Sequence, residues 1–123
     1  MEAIAKTREE IETRLVEFVD ALTAHCNEKN INKTLYKMVI EAQPGKKYTK
    51  IVRYEHPHKE AKRNVHGSVM CFVRNDDGII MKAASFIKVA PNGERGSIFA
   101  EGFDIGEPGS GRAVNQYGCN YVK

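Results

Sequence analysis

The chain has 123 residues, with 19 Lys and Arg against 16 Asp and Glu, which gives a formal net charge of +3. This length allows one domain with one modest core, and no apolar run approaches the roughly 20 residues that a membrane-spanning helix needs. The N-terminal sequence MEAIAKTREEIE is acidic and lacks the apolar stretch of a signal peptide, so we expect a cytosolic protein whose three Cys are reduced thiols.

The positive charge is concentrated in the middle third of the chain. Residues 2–29 carry seven acids and four bases, residues 30–63 carry three acids and nine bases, and residues 64–123 carry six of each. A basic segment on a small domain indicates an anionic partner such as a nucleotide, a phosphate group or a nucleic acid. The alternative is that these lysines only keep exposed strands solvated.

Residues 1–30 are predicted to form one helix, because their apolar residues recur with a period near 3.6. The stripe consists of Ile4, Ile11, Leu15, Phe18, Leu22 and Cys26. Thr7 followed by Glu10 matches a capping box, which predicts that the regular helix starts there.

The apolar stripe of this helix has two possible partners. It can pack on the sheet of its own chain, or it can pack on the same helix of a second copy. The second interpretation assigns an oligomer interface to four residues, namely Ile11, Leu15, Phe18 and Leu22. We therefore divide the single domain, residues 1–123, into a helical oligomerisation segment (1–30) and a mainly β, ligand-binding segment (31–123).

Residues 31–123 are predicted to be mainly strands. Residues 35–42 and 48–54 flank the turn sequence QPGK and predict a hairpin. The basic residues of this hairpin, expected on one outer face, are Lys37, Lys47, Lys50 and Arg53. A second hairpin is predicted from residues 68–73 and 79–84, because the sequence NDDG between these apolar runs favours a tight turn with a left-handed glycine. Pro91–Gly93 predicts a further turn. The predicted class is α+β, with the helix packed on an antiparallel sheet of four or five strands.

The sequence contains no recognisable catalytic or metal-binding motif. His56, His58 and His66 could serve a phosphodiesterase or nuclease, but no CxxC pair or HExxH motif accompanies them. We therefore expect a binding protein that is not an enzyme and that has no cofactor and no metal.

The segment 84–97 carries the strongest indication of ligand binding. Phe86 offers a face for stacking, Asn92 offers an amide for base edges, and Lys88 and Arg95 offer positive charge for phosphate. The alternative is that Phe86 belongs to the core and Arg95 caps a loop. The later sequence GSGR, which ends at Arg112, is a flexible basic segment without the lysine and helix of a phosphate loop.

Residues 68–99 resemble a family of small phage proteins, the anti-Thoeris proteins of the first type. The resemblance rests on an apolar strand, a D/N-G turn, a "K-x-A-S-aromatic-K" segment, an "R-G-x-I-F" segment and the ending YGCNY. Phe86 stands where tryptophan is usual in that family, and one extra residue precedes Lys88. The resemblance carries over Phe86, Lys88, Asn92 and Arg95 as ligand-binding residues. Residues near the ending are added to this set, namely Arg112, Asn115 and Tyr117.

The resemblance implies a sponge that sequesters a cyclic ADP-ribose isomer made by bacterial TIR-domain proteins, without cleaving it, in the host bacterial cytoplasm. It also implies a homodimer or higher oligomer, with cyclic oligonucleotides as further possible ligands. One alternative is a small nucleic-acid-binding phage protein that uses the basic strands 33–63. A structural phage protein is another. The sequence leaves open whether Arg53, Arg63 and His66 line the site.

Overall fold

A computed structural model of the chain describes residues 7–30, 36–57 and 67–119. It contains one helix, α1 (Arg8–Glu28), packed on a five-stranded antiparallel sheet, which confirms the predicted α+β class. The strands follow one another as a meander: β1 (Tyr36–Pro44), β2 (Tyr48–Pro57), β3 (Gly67–Arg74), β4 (Ile79–Ala83) and β5 (Val89–Ser97). A short 3₁₀ turn at Glu101–Asp104 then leads to a two-stranded hairpin, β6 (Val114–Asn115) and β7 (Gly118–Cys119).

Some predictions fall on residues outside this description, namely those for Ile4, His58, Arg63 and His66, and for the side chain of His56. Within the described ranges, no helix is long and apolar enough to cross a membrane.

The helix begins at the predicted capping box. The Thr7 hydroxyl accepts a hydrogen bond from the Glu10 amide at 3.1 Å, and the Glu10 carboxylate accepts one from the Thr7 amide at 2.8 Å. These two bonds satisfy amides that would otherwise have no partner in the first turn. The sequence therefore predicted the start of α1 correctly.

The apolar stripe of α1 packs on the chain's own sheet. Ile11, Phe18 and Leu22 are buried in one core that also contains Ile51 and Ile80. The assignment of Ile11, Phe18 and Leu22 to an oligomer interface is therefore wrong, because the sheet already covers these side chains. Leu15 is only partly buried at the edge of this contact, and the neighbouring Val16 is 62% exposed.

The turn between β3 and β4 has the predicted form. Gly78 has a φ of 77°, a conformation that favours glycine, and its amide donates to the Arg74 carbonyl at 2.8 Å. The Asp77 carboxylate accepts hydrogen bonds from Arg74 Nε at 3.0 Å and from the Ile79 amide at 3.1 Å. The local sequence was sufficient here because every partner lies within four residues.

The basic residues of β2 do not share one face of the sheet. Successive strand residues point to opposite faces, so Lys50 and Arg53, three positions apart, point in opposite directions. Lys50 lies on the face away from α1, whereas the Arg53 guanidinium donates to the Gln116 carbonyl at 2.7 Å on the α1 side. The predicted continuous basic face of Lys37, Lys47, Lys50 and Arg53 is therefore wrong.

The predicted turn at Pro91–Gly93 is an irregularity within β5. Ala83 pairs with Val89 and Met81 pairs with Glu94, so β5 contains three more residues than β4 between these two pairs. Asn92 has a φ of 53°, which accommodates the extra length. The actual reversal between β4 and β5 lies at residues 84–88, where the amides of Ala84 and Ser85 donate to the Lys88 carbonyl.

Candidate ligand groove

Strands β3 and β4 separate soon after their turn. Their pairing consists of Val73 with Ile80 and Phe72 with Met81, and beyond Met81 the two strands diverge. The β6–β7 hairpin packs beside this opening, and the Cys119 thiol lies 3.9 Å from the Met81 carbonyl oxygen. The result is a groove of about 300 Å³. Its lining consists of Val69, Met70, Lys82, Ala83, Ala84, Ser85, Phe86, Tyr117, Gly118 and Cys119.

Two aromatic side chains stand at this groove. Phe86 is 46% exposed and Tyr117 is 74% exposed, so the rings are available for contact with a ligand. Phe86 belongs to the 84–88 turn and Tyr117 to the turn between β6 and β7, which places them together although they are far apart in sequence. Exposed aromatic residues in a concave site are typical of stacking on planar ligands.

Phe86 is held in place by Lys50 of β2. The Lys50 ammonium lies 3.9 Å from the centre of the Phe86 ring. Such a cation–π contact stabilises an exposed pair by about 0.5–1 kcal/mol. One face of the ring is therefore in contact with a cation of the sheet, and Phe86 is not a core residue.

Tyr117 is positioned by a buried amide. The Tyr117 backbone amide donates to Asn115 Oδ1 at 2.6 Å, and the Asn115 side chain is 5% exposed. Asn115 was predicted to contact ligand, but it lies beneath the hairpin. Its observed role is to set the shape of the turn that presents Tyr117.

Two cationic side chains, Lys82 and Arg95, lie at or near the groove. Lys82 lines it directly, and Arg95 is close enough to Cys119 to affect the charge state of its thiol. Arg95 Nη1 donates to the Asn92 and Glu94 carbonyls, both at 3.2 Å. The Arg95 Nε is buried and has no hydrogen-bond partner among the described residues. A buried donor without an acceptor costs about 1–3 kcal/mol, so an anion that reaches the guanidinium would relieve this cost.

The Cys119 thiol has a lowered pKa. A hydrogen bond with the Cys71 thiol is the largest cause of the lower pKa, the charges of Arg95 and Lys82 add to it, and partial burial opposes it. The buried Cys71 thiol has its pKa raised by the same hydrogen bond and by its burial. Cys119 is therefore the cysteine of this pair that ionises first.

The structure brings together part of the predicted site. Phe86 and Tyr117 line the groove, and Arg95 lies beside its floor. Lys88 and Asn92 are exposed on the same segment but do not line the groove.

Arg112 is not at the groove. Its guanidinium Nη1 donates to the Glu101 carbonyl at 2.6 Å, in the connection between β5 and β6. Its predicted ligand contact therefore has no counterpart in the lining of the groove, because proximity in sequence to Tyr117 did not become proximity in space.

Sequence reasoning missed three residues at this site, namely Lys50, Lys82 and Cys119. Lys82 is the first residue of the sequence KAASF, which ends at Phe86. This short separation from the aromatic residue could have indicated that Lys82 belongs to the same site. Cys119 lies 48 positions after Cys71, and no local pattern connects them. Lys50 reaches Phe86 only because the 84–88 turn lies over the face of β2.

Two other cavities of similar volume lie against α1. One of about 350 Å³ lies near the start of α1 and carries charges of both signs, from Arg8, Lys46, Glu12 and Asp76. Another of about 380 Å³ lies on the helix surface beside three glutamates. The first has no aromatic residue in its lining, and the second combines Phe99 and Arg14 with three glutamates that repel an anion. The groove at Phe86 and Tyr117 therefore fits an anionic planar ligand better. In the described part of the chain, no three His, Cys, Asp or Glu side chains lie close enough to hold a metal ion.

Comparison with protein-family models gave one family, described as a family of unknown function (DUF7717), whose model matches residues 1–102. The chain belongs to this family. The match to DUF7717 covers α1 and the whole five-stranded sheet, and it ends before the β6–β7 hairpin that carries Tyr117 and Cys119. Comparisons with curated proteins and with solved structures found no match.

Proposed function

We propose that the chain binds a cyclic ADP-ribose isomer in this groove and sequesters it without cleaving it. The observation that supports this function most directly is the juxtaposition of two exposed aromatic rings, Phe86 and Tyr117, with Lys82 and Arg95. A phosphorylated adenine ligand needs both features, an aromatic face for its base and cations for its phosphates.

The expected division of roles follows from the geometry. Phe86 and Tyr117 stack on the planar part of the ligand, which contributes about 1–3 kcal/mol for each stacked base. Lys82 and Arg95 contact the phosphates. A cyclic ligand is rigid and loses little conformational entropy on capture, which favours tight binding.

One chain cannot enclose the ligand. The groove is open, and a ligand held at nanomolar affinity, or about 12 kcal/mol, needs to be buried on most sides. Ile87 is 81% exposed beside Phe86, and an exposed apolar residue at this position favours contact with a second subunit. We therefore place the oligomer contact of this proposal at the groove and not at the buried stripe of α1.

The resemblance of residues 68–99 to the anti-Thoeris proteins supports the biological part of the proposal. In that interpretation the ligand is a signal made by a bacterial TIR-domain protein, and the chain acts in the cytoplasm of a phage-infected host. Cyclic oligonucleotides, which share phosphates and stackable bases, are further candidate ligands.

The experiment is a calorimetric titration of the purified chain with cyclic ADP-ribose isomers. We expect saturable binding that Arg95→Gln weakens at least tenfold. The matched control is Arg112→Gln, which removes the same charge outside the groove and should leave affinity within about twofold. Absence of binding to every isomer and to cyclic oligonucleotides would contradict the proposal.

Heat denaturation of the complex separates capture from catalysis. We expect the released ligand to be chemically unchanged by mass spectrometry, whereas an altered ligand would indicate an enzyme. Binding to DNA or RNA with a steep salt dependence would instead support the nucleic-acid alternative. The split of the basic residues between the two sheet faces disfavours that alternative, since Arg53 is occupied by Gln116.

A further inference from the structure

The cysteine pair beneath the groove has no role in the proposed ligand contacts. Cys119 lines the groove and is partly exposed, whereas Cys71 on β3 is fully buried. The two side chains are close enough for each thiol to shift the pKa of the other. The backbones on either side are also in close contact, because a Cβ added to Gly118 would lie 3.3 Å from the Met70 carbonyl oxygen. Residues 70–71 and 118–119 are therefore in direct contact.

We infer that Cys71 and Cys119 form a reversible disulfide when a peroxide enters the groove. The groove gives the oxidant access to Cys119, and the contact between the thiols places the second sulfur where it can resolve the first oxidation product. This inference does not depend on the identity of the ligand.

The oxidation of the two thiols by one peroxide proceeds in two steps. In the first, the Cys119 thiolate attacks the O–O bond of the peroxide and becomes a sulfenic acid, and the leaving hydroxide takes up the former thiol proton as water. In the second, the Cys71 sulfur attacks the sulfenic sulfur, the S–S bond forms, and the S–O bond breaks. The hydroxide leaves with the Cys71 proton as a second water. Two thiols are oxidised and one peroxide is reduced.

The charges near Cys119 indicate that this cysteine reacts with the peroxide before Cys71 does. Cys119 has Lys82 and Arg95 nearby and ionises before Cys71, and the thiolate is the reactive form of cysteine. Cys71 is buried and stays protonated until a sulfenic acid forms beside it. The third cysteine, Cys26, is buried and its thiol points to the Gln116 carbonyl at 3.9 Å, so we expect it to remain reduced.

The test is peptide mapping of the full chain after brief treatment with hydrogen peroxide. The protein is then denatured with an alkylating agent and digested with trypsin without reductant. We expect a disulfide between peptides 64–74 and 113–123, lighter than the sum of the two peptides by two hydrogen atoms and separated again by dithiothreitol. Peptide 15–29, which contains Cys26, should be fully alkylated.

Three variants test the role of each cysteine separately. Cys26→Ser should keep the linkage and Cys119→Ser should abolish it. In Cys71→Ala, Cys119 should stop at the sulfenic acid, which dimedone traps. The mapping of the unsubstituted protein decides the question even where a variant folds poorly. The inference would be overturned if Cys119 were oxidised to a sulfinic acid while Cys71 remained a free thiol and was modified by the alkylating agent. A disulfide that joins two chains through Cys119 would overturn it as well.

Discussion

The guanidinium of Arg53 donates a hydrogen bond to the backbone carbonyl of Gln116 at 2.7 Å, and this bond joins the second strand to the hairpin that carries Tyr117. His25 at the end of the helix contacts the Gln116 side chain at 3.0 Å. The hairpin is therefore held from both the sheet and the helix. Its aromatic residue is exposed, but the backbone that presents it is fixed.

Replacing Arg53 tests this anchor. We expect Arg53→Met to lower the free energy of unfolding by about 1.5–3 kcal/mol, the usual contribution of a hydrogen bond to a charged group. Ligand affinity should fall as well, because Tyr117 would no longer be held at the groove. Chemical denaturation and calorimetry measure the two effects. Lys37→Met removes a cation from an exposed position of the neighbouring strand and should change neither.

The exposed face of Phe86 is expected to provide stacking. Phe86→Leu keeps an apolar side chain but removes the aromatic face. We therefore expect the binding free energy for an adenine-containing cyclic ligand to become less favourable by about 1–3 kcal/mol. Phe86→Tyr keeps the ring and should bind nearly as tightly as the unsubstituted chain. Calorimetry on both variants checks this. Equal losses in both would show that the ring does not stack on the ligand.

The three cysteines should differ in reactivity. Burial raises the pKa of Cys26 to about 11, whereas the hydrogen bond from Cys71, with the charges of Arg95 and Lys82, holds the pKa of Cys119 below its ordinary value. Iodoacetamide at pH 7.5 should therefore label Cys119 first in the folded protein, and Arg95→Gln should slow that labelling. Timed mass spectrometry of the peptides follows each site. Faster labelling of Cys26 would contradict the assignment.

Acid should remove the contribution of Asp77 to stability. Partial burial raises the pKa of Asp77, but hydrogen bonds from Arg74 and the Ile79 amide outweigh this effect, so its pKa lies below the ordinary value of 3.8. A carboxylate with a lowered pKa stabilises the fold above its unfolded pKa, and the effect disappears as pH falls through the folded value.

Asp77→Asn should therefore lower the free energy of unfolding by about 1 kcal/mol at pH 7, since the ion pair is partly exposed. The difference from the unsubstituted chain should shrink as pH falls below 3.8. Denaturation curves across this range provide the measurement. Asp76→Asn, at the exposed neighbouring position, is the control and should have little effect at any pH. A deficit that persists in acid would show that Asp77 acts through the shape of the turn alone.

The position of Ile87 predicts where subunits meet. Ile87→Glu should convert an oligomer to monomers and weaken ligand binding, because it places a charge at the exposed residue that follows Phe86. Val16→Glu, on the exposed side of the helix, should leave both properties unchanged. Light scattering after gel filtration reports the mass. The opposite pattern would move the subunit contact to the helix.

Features determined by neighbouring residues could be predicted from the sequence. Thr7 with Glu10 predicted the helix start, and the turn at Gly78 followed from the residues around it. The apolar stripe of the helix predicted a buried face but not its partner, since its own sheet and a second helix have the same chemistry.

The groove depends on relationships that no local pattern contains. The register of β4 and β5 placed Pro91–Gly93 inside a strand, and the separation of β3 from β4 opened the space beside Lys82. The contact between Cys71 and Cys119 joins segments 48 positions apart. Phe86 and Tyr117 could be proposed as ligand contacts, but their common location could not be derived.

The meander topology has a consequence for the order in which this protein is assembled. Each of the five strands pairs with its neighbour in sequence, so the sheet can form by short-range closures that are fast. The β6–β7 hairpin is different, because its contacts reach back 91 positions to the helix and 63 to the second strand. We expect the hairpin to dock last during synthesis, so that a folded sheet exists before the chain becomes competent to bind.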